Sequence, residues 1–243
     1  MSQNDCKTSE TIPPQEASLV KHSMSVLGID IAKRIFHVVG MDERGQIVLR
    51  KRLARNALMP FIAPLPPVLI GMEACGGAHD WARRFRAHHH AVKLMAPQFV
   101  KPYVKSNKND MRDAEGIGEA VTRPTMRCVP TKDVDQQDLQ ALHRVRERLI
   151  GARTALVHEI HGLLHAYGIV VPKGVAKLRQ TVIGTLEADK AKLTPLSQEM
   201  FGKLVDEFAV LEKQLVYDQE KLEALATTHP ACQRLMTIPG IGP

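Results

Sequence analysis

The sequence has few aromatic residues, few cysteines and no long apolar run. Aromatic residues make up only 4% of the chain, so a surface that binds nucleic acid by base stacking is not indicated. The four cysteines form no C-x-x-C pair, which argues against a zinc knuckle or a disulfide framework and fits a reducing cytoplasm. No run of about 18 apolar residues is present, so we expect no membrane partner. Residues 1–22 lack the apolar core of a signal peptide, and we expect a disordered tail there.

The chain is rich in basic residues instead. Lys and Arg number 33 against 26 Asp and Glu, for a formal net charge of +7. Such a balance favours a polyanionic partner, and nucleic acid leads the candidates. Hydrophobic residues make up 44% of the chain, so we expect a globular protein with one sizeable core or a small domain plus an accessory element.

Short apolar runs follow the N-terminal tail. SVLGIDIA, IFHVVGMD and QIVLRKRL predict three strands, and the centre of MDERGQ predicts a hairpin turn between the second and the third. RNALMPFIAPL then predicts a short helix, VLIGME a buried strand, GGAHDWARRFRAHHH a helix and AVKLMAP another strand. A meander followed by interleaved strands and helices predicts a mixed α/β sheet over residues 23–130.

Helical patterns replace the strands beyond about Pro130. DVDQQDLQALHRVRERLIGARTALVHEIHGLLHAYGI predicts a helix of more than about 30 residues that stops near Gly168. A later segment carries a heptad seam, interrupted once by an acid: Leu204, Phe208, Leu211, Leu215, Asp218, Leu222 and Leu225. This seam packs either on its own domain or in a coiled coil with a partner chain. We expect a helical, coiled-coil region over residues 131–230 and a homo-oligomer formed through it.

Four acidic residues occupy positions where a carboxylate is costly or clustered. Asp30 lies within the apolar strand GIDIA, and Glu73 lies at the strand-to-helix junction MEACGG. Asp110 and Asp113 of NKNDMRDAEGIGEA lie one turn apart on one helix face. Taken singly, each acid is also explained as an exposed strand end or as a charge favoured by a helix dipole. One arrangement accounts for all four: they converge on Mg²⁺ or Mn²⁺, which prefer hard oxygen ligands and serve phosphodiester cleavage.

Four segments, in this order, resemble the DEDD-type transposases of bacterial insertion sequences: GIDIAK, MEACGGAHDWAR, VKPYVKSNKNDMRDAEGIGEA and LHRVRERLIGARTALVHEIHGLLHAYGI. The resemblance runs over about residues 25–243 and implies an RNase H/RuvC-like sheet with helices. It implies that Asp30, Glu73, Asp110 and Asp113 take the DEDD positions and hold the metal. It also implies DNA cleavage and strand exchange guided by a structured RNA, in a bacterial cytoplasm in association with the nucleoid.

The C-terminal segment MTIPGIGP resembles the hairpin of helix-hairpin-helix DNA-binding elements. In the family, a domain that opens near such a segment supplies a serine nucleophile. We expect residues 231–243 to be the truncated start of that domain, and we assign no serine of this chain as a nucleophile. Strand exchange by this chain alone is therefore not expected.

Basic residues near the acids and along the first long helix are candidate nucleic-acid contacts. The candidates are Lys33, Lys101, Lys105, Lys108, Arg144, Arg148 and Arg153. The lysines are placed to steer phosphates toward the metal, or they form a solvated loop, with Lys33 at the family's D-x-x-K position or capping a sheet edge. The arginines line a nucleic-acid groove or keep the helix soluble. We expect the run His88–His90 at the surface or in contact with nucleic acid.

Three functions are open at this point. The first is a metal-dependent transposase or recombinase, and the second is a RuvC-like structure-selective nuclease in which activated water attacks the phosphate. The third is a non-catalytic nucleic-acid-binding or inhibitory fragment that dimerises through its heptads. A covalent protein–DNA adduct formed by the full-length protein separates the first from the second, for which free ends are expected.

Overall fold

A computed structural model describes residues 24–104 and 109–242 of the protein. These residues form two compact units that divide between Asp133 and Val134. The first unit is a mixed sheet covered by helices on both faces, and the second is helical. The predicted fold class is confirmed: a mixed α/β sheet, consistent with an RNase H-like fold, is followed by helices.

The sheet of the first unit has six strands in the order β3-β2-β1-β4-β5-β6. Their bounds are β1 (Val26–Asp30), β2 (Ile35–Met41), β3 (Ile47–Ala54), β4 (Leu69–Glu73), β5 (Ala91–Met95) and β6 (Cys128–Val129). The predicted antiparallel meander of β1, β2 and β3 is present, while β4 and β5 run parallel to β1. The hairpin between β2 and β3 is closed by Asp42, whose carboxylate accepts hydrogen bonds from the N–H groups of Arg44 and Gln46 at 2.9 and 2.8 Å. β6 was not predicted, because two residues are too few to show a period.

Each face of the sheet has its own helical cover. The helices are α1 (Leu58–Ile62), α2 (Ala78–Ala87), α3 (Pro97–Val100) and α4 (Asp110–Val121). Side chains alternate between the faces of a strand, so Leu27 and Ile29 enter the core that α1 and α2 cover. Trp81 of α2 lies at the centre of that core, 5.3 Å from the ring of Phe36. The alternate residues of β1, ending at Asp30, face α4.

Three glycines allow α4 to lie directly on the sheet. Gly28 of β1 and Gly71 of β4 are paired in register. A Cβ on Gly28 would lie 2.1 Å from the carbonyl oxygen of Ala114 and 2.5 Å from the nitrogen of Gly118, and a Cβ on Gly71 would lie 2.8 Å from Cβ of Val121. Real Cβ atoms do not approach so closely, so side chains here would push the helix away. This contact brings the first turn of α4 to the carboxyl end of β1.

The second unit is a set of helices that share one core of apolar residues. Its helices are α5 (Val134–Ala166), α6 (Val175–Ala188), α7 (Pro195–Thr228) and α8 (Pro230–Met236). The predicted helix of more than about 30 residues is α5, with 33. Phe208, Leu211 and Leu215 of the heptad seam share a core with Ile160 of α5, so this part of the seam packs within its own chain. No helix in the described residues is both long and apolar enough to cross a bilayer.

The histidine run divides between the surface and the core. His88 and His89 are exposed, but the expectation fails for His90, which is 3% exposed. Its Nδ1 accepts a hydrogen bond from the N–H of Val68 at 3.3 Å, and its Nε2 lies 3.3 Å from the carbonyl oxygen of Ile62. Burial lowers the pKa of His90, and the contact with Ile62 opposes this effect only in part. His90 is therefore a neutral core residue that contacts the last residue of α1 and the residue before β4.

Candidate metal centre

Three carboxylates meet at the carboxyl end of β1. Asp30 is the last residue of β1, and Asp110 and Asp113 lie in the first turn of α4. One oxygen from each carboxylate lies within 4.8 Å of the others. Within the described residues, no other three His, Cys, Asp or Glu side chains come together in this way. Asp30 and Asp113 are half-buried and Asp110 is exposed, so the group opens to solvent on one side.

The start of α4 explains only part of this cluster. The Asn109 side chain caps the helix by accepting a hydrogen bond from the N–H of Met111 at 3.0 Å. The positive end of the helix dipole then favours Asp110 and Asp113. Asp30 belongs to a strand, so the dipole does not account for its position beside them. Carboxylates this close repel one another unless a cation lies between them.

Glu73 ends the neighbouring parallel strand. Ile29 pairs with Met72, so Asp30 and Glu73 follow at the same level and on the same face. Both charges act on Cys75: burial raises the pKa of its thiol, and Glu73 and then Asp30 raise it further. Glu73 is nevertheless outside the group of three carboxylates within 4.8 Å. Of the four acids expected to converge, Asp30, Asp110 and Asp113 lie close together, and Glu73 lies at the end of the adjacent strand.

The other acids of α4 have different partners. The Arg50 guanidinium of β3 donates a hydrogen bond to Glu115 at 3.1 Å. Arg123 donates to Glu119 at 2.7 Å. The first two carboxylates of the acidic stretch therefore lie at the site. Of the later two, Glu115 links α4 to β3 and Glu119 forms a local ion pair at the end of α4.

His37 lies beside the carboxylates and was missed by the sequence analysis. It pairs in register with Asp30, and its Nδ1 lies 3.8 Å from Oδ2 of Asp110. The side chain is 13% exposed, and Nδ1 has no hydrogen-bond partner among the described residues. Strand alternation carried the signal, because Phe36 and Val38 enter the core and His37 must therefore face α4.

Two candidate lysines of the first unit, Lys33 and Lys101, lie in turns. Lys33 is exposed in the turn between β1 and β2, and Lys101 is exposed at the start of the 3₁₀ turn Lys101–Tyr103. Lys105 and Lys108 lie outside the residues that the structure describes.

The candidate arginines of the second unit differ in their contacts. Arg144 and Arg148 are exposed on α5. Arg153 is partly buried and forms an ion pair with Glu212 of α7 at 3.0 Å, and Arg179 of α6 pairs with the other oxygen of the same carboxylate. Arg153 thus already neutralises an acid within its own unit.

The donor set of the cluster suits a hard divalent cation. Carboxylate oxygens are the ligands that such ions take in proteins, usually together with water and phosphate oxygens. Asp30 and Asp113 offer half-buried oxygens, and the exposed Asp110 leaves one side open for such further ligands. The residues present therefore fit a metal site.

Comparison with known proteins identifies the family. The sequence model of the DEDD transposases of IS110 elements, described as transposase, matches residues 27–169. The chain is 43% identical over 225 residues to a probable family 20 transposase of Pseudomonas aeruginosa, covering 91% of this chain and 66% of that protein. It is 40% identical over 219 residues to the transposase for insertion sequence element IS1111A of Coxiella burnetii, covering 90% and 60%. The transposase for insertion sequence element IS1328 of Yersinia enterocolitica is 39% identical over 220 residues, with 90% and 65% covered.

The chain spans about 60% to 66% of the length of these relatives. The matched residues contain Asp30, Glu73, Asp110 and Asp113, and thus the whole acidic site. The predicted resemblance is confirmed, and the chain belongs to the DEDD transposase family of IS110-type insertion sequences.

Proposed function

We propose that this protein is an insertion-sequence transposase that cleaves DNA with Mg²⁺ or Mn²⁺ held by Asp30, Asp110 and Asp113. The observation that carries the proposal is the meeting of these three carboxylates within 4.8 Å, from a strand and a helix remote in sequence. The net charge of +7 supports a polyanionic substrate. The names of the relatives support transposition as the process.

Each acid has a defined part in the proposal. Asp30 and Asp113 bind the metal from half-buried positions, and Asp110 completes the set from the solvent side. Glu73 is placed to hold a second ion or to orient a ligand at the adjacent strand end. A divalent ion held by these carboxylates would supply neutralisation of a phosphate oxygen and activation of an attacking oxygen. No residue of this chain is proposed as a nucleophile.

Basic residues would hold the DNA by its phosphates. Each phosphate contact by a lysine or arginine releases a counterion, which makes binding salt-dependent. In the proposal, Lys33, Lys101, Lys105 and Lys108 act near the carboxylates. Arg144, Arg148 and Arg153 act on the helical unit, where Arg153 contributes only if it leaves Glu212.

The family resemblance extends the proposal to a structured guide RNA, strand exchange and self-association through the helical region in the bacterial nucleoid. The exposed arginines of α5 support RNA binding. Leu225, which is 47% exposed at the far end of the heptad seam, supports an intermolecular contact. Copurification of RNA with the chain, and its removal by ribonuclease, tests RNA binding. Sedimentation equilibrium tests self-association.

The test of the proposed function is cleavage of negatively supercoiled plasmid DNA. We expect the chain to nick the plasmid in Mg²⁺ or Mn²⁺, and we expect Asp30→Asn to abolish nicking. The matched control is Glu43→Gln, which removes one charge from the exposed hairpin of the same unit. Nicking that persists in EDTA or in Asp30→Asn would remove the metal site from the account.

The form of the DNA ends separates the alternative functions. In an assay of the chain extended to the length of its relatives, protein attached covalently to a DNA end supports a recombinase. Free ends without attached protein support a RuvC-like nuclease. Binding without any cleavage, in the presence of bound metal, supports a non-catalytic nucleic-acid-binding protein.

A further inference from the structure

A row of side chains crosses four neighbouring strands on the side of the sheet that α4 covers. Asp30 of β1 pairs in register with His37 of β2, and His37 pairs with Arg52 of β3. Glu73 of β4 follows at the same level on the other side of Asp30. Side chains in register point to the same face. The row therefore runs from the acids, past an imidazole, to a guanidinium on the edge strand.

The neighbours of Arg52 confirm which face it occupies. Arg50 lies two residues earlier on the same face, and its guanidinium bonds to Glu115 of α4 at 3.1 Å. Lys51 points to the opposite face, where its Nζ lies 5.0 Å from the centre of the Phe61 ring. Arg52 is thus on the side of the metal carboxylates.

The cations of β3 differ in what neutralises them. Arg50 is paired with Glu115, and Lys51 lies over Phe61. Arg52 is exposed, and within residues 24–104 and 109–242 it makes no hydrogen bond, ion pair or ring contact. His37 stands between Arg52 and Asp30 in the row. Arg52 is therefore an exposed cation at the β3 end of a row that contains Asp30 and His37 of the candidate metal centre.

We propose that Arg52 binds a backbone phosphate of the DNA strand being cleaved, and that this strand leaves the carboxylates across β2 and over the β3 edge. The inference rests on the proposed cleavage of DNA at Asp30. Strands lie about 4.8 Å apart, so Arg52 is displaced by about 10 Å from Asp30. Phosphates of a duplex strand repeat about every 3.4 Å along the axis, so this interval covers about three of them. A guanidinium suits the task because its planar fork binds phosphate through two hydrogen bonds.

Edge protection is the competing explanation for Arg52. Charged side chains on an edge strand prevent pairing with other sheets. Edge protection needs a charge on either face of β3, so Lys51 serves that role as well as Arg52 does. Contact with a DNA strand bound at the carboxylates needs a cation on the same face as the carboxylates, and of these two residues only Arg52 lies there. The two cations, one residue apart and equal in charge, are therefore a matched pair.

The test compares Arg52→Gln with Lys51→Gln in the full 243-residue chain. Fluorescence anisotropy with a labelled DNA duplex is measured over a series of KCl concentrations in Ca²⁺, an ion with oxygen ligands that neutralises the carboxylates so that a DNA strand can lie beside them. For Arg52→Gln, loss of one phosphate contact should reduce the salt slope by about 0.9 and weaken binding about eightfold at about 0.1 M salt. Lys51→Gln should change affinity less than about twofold, because its charge is screened from the DNA. Arg52→Lys should restore the slope.

Several results would overturn the proposal. Equal weakening by Arg52→Gln and Lys51→Gln would show an effect of net charge alone, and no weakening by either would remove Arg52 from the DNA path. A larger effect on an RNA of the same sequence than on the DNA would reassign the contact to RNA. A loss of Mn²⁺ binding in Arg52→Gln would make Arg52 a support of the metal site instead. Unchanged metal binding in Asp30→Asn would count against the proposed function and would leave this comparison intact.

Discussion

Gly118 of α4 lies against Gly28 of β1, with its Cα 2.8 Å from the point that a Cβ on Gly28 would occupy. This backbone contact holds the helix at a distance from the sheet that no side chain on Gly28 permits. Since Asp110 and Asp113 begin the same helix and Asp30 follows Gly28 by two residues, the contact also sets the spacing of the three carboxylates. Packing and chemistry are linked through one glycine.

Gly28→Ala should therefore affect both stability and metal binding. The added methyl group would overlap the backbone of Ala114 and Gly118, at an expected cost of about 1–3 kcal/mol in the free energy of unfolding. Urea unfolding followed by the fluorescence of Trp81, the single tryptophan of the chain, reports this. Titration with Mn²⁺ should show weaker binding, because α4 carries Asp110 and Asp113 away from Asp30. Gly76→Ala is the control, because a Cβ there meets nothing within 4 Å; equal stability of the two variants would contradict the packing account.

Glu73 and Asp113 should differ in their effect on metal affinity. Asp113 is within the group of three carboxylates and Glu73 is not. We expect Asp113→Asn to weaken Mn²⁺ binding by at least about tenfold, as loss of a direct ligand does, and Glu73→Gln to weaken it less. Both variants remove one negative charge, so a change in net charge alone cannot produce the difference. An equal or larger loss in Glu73→Gln would place Glu73 among the direct ligands.

Glu212 should be important for the stability of the helical unit. Its carboxylate is only 12% exposed and pairs with both Arg153 and Arg179. Glu212→Gln leaves the partly buried Arg153 without a countercharge, and we expect a loss of about 1–3 kcal/mol in the free energy of unfolding. Glu199→Gln, which breaks an exposed pair with Lys203, should cost less than about 1 kcal/mol. Urea unfolding followed by circular dichroism compares them, and similar costs would contradict a buried role for Glu212.

His90 should make the first unit less stable in acid. Burial lowers its pKa in the folded state below the usual value of about 6.5. Protonation then favours the unfolded state, so the stability contribution is complete above about pH 6.5 and is lost as the pH falls toward the folded pKa. His79 acts in the same direction, because burial and then Lys132 and Arg83 lower its pKa.

Substitution of His90 tests this pH dependence. Urea unfolding monitored at Trp81 should show wild-type stability falling between about pH 7 and pH 5 more steeply than that of His90→Gln. His88→Gln changes an exposed histidine of the same run and should retain the wild-type slope. If His90→Gln keeps the full slope as well, the acid sensitivity arises elsewhere.

Local patterns predicted the elements but not the contacts between them. Strand alternation, apolar runs and the hairpin signal predicted β1 to β5 as strands along the chain, because these signals depend on neighbouring residues. The same alternation indicates that His37 faces α4. It does not indicate the distance of His37 from Asp110, because that distance depends on how closely α4 approaches the sheet. The close approach is set by Gly28 and Gly118, and the sequence pattern does not show that these two glycines meet.

The misjudgement of His90 has the same origin. His90 belongs to a polar run in the sequence, yet the carbonyl of Ile62 and the N–H of Val68 satisfy it within the core. The heptad seam predicts an apolar contact either within its own domain or with a partner chain, and Phe208 and Leu215 make theirs with α5 of the same chain. A periodic sequence specifies which face is apolar. It does not specify which of two apolar surfaces covers that face.

Mn²⁺ binding by Asp30→Asn tests the central claim most directly. Isothermal titration of the wild-type chain, Asp30→Asn and the control Glu43→Gln compares one site carboxylate with one exposed hairpin carboxylate of equal charge. The account predicts that Asp30→Asn loses at least about tenfold in Mn²⁺ affinity with Trp81 fluorescence unchanged, while Glu43→Gln binds as the wild type does. A folded Asp30→Asn protein with the wild-type titration would contradict it.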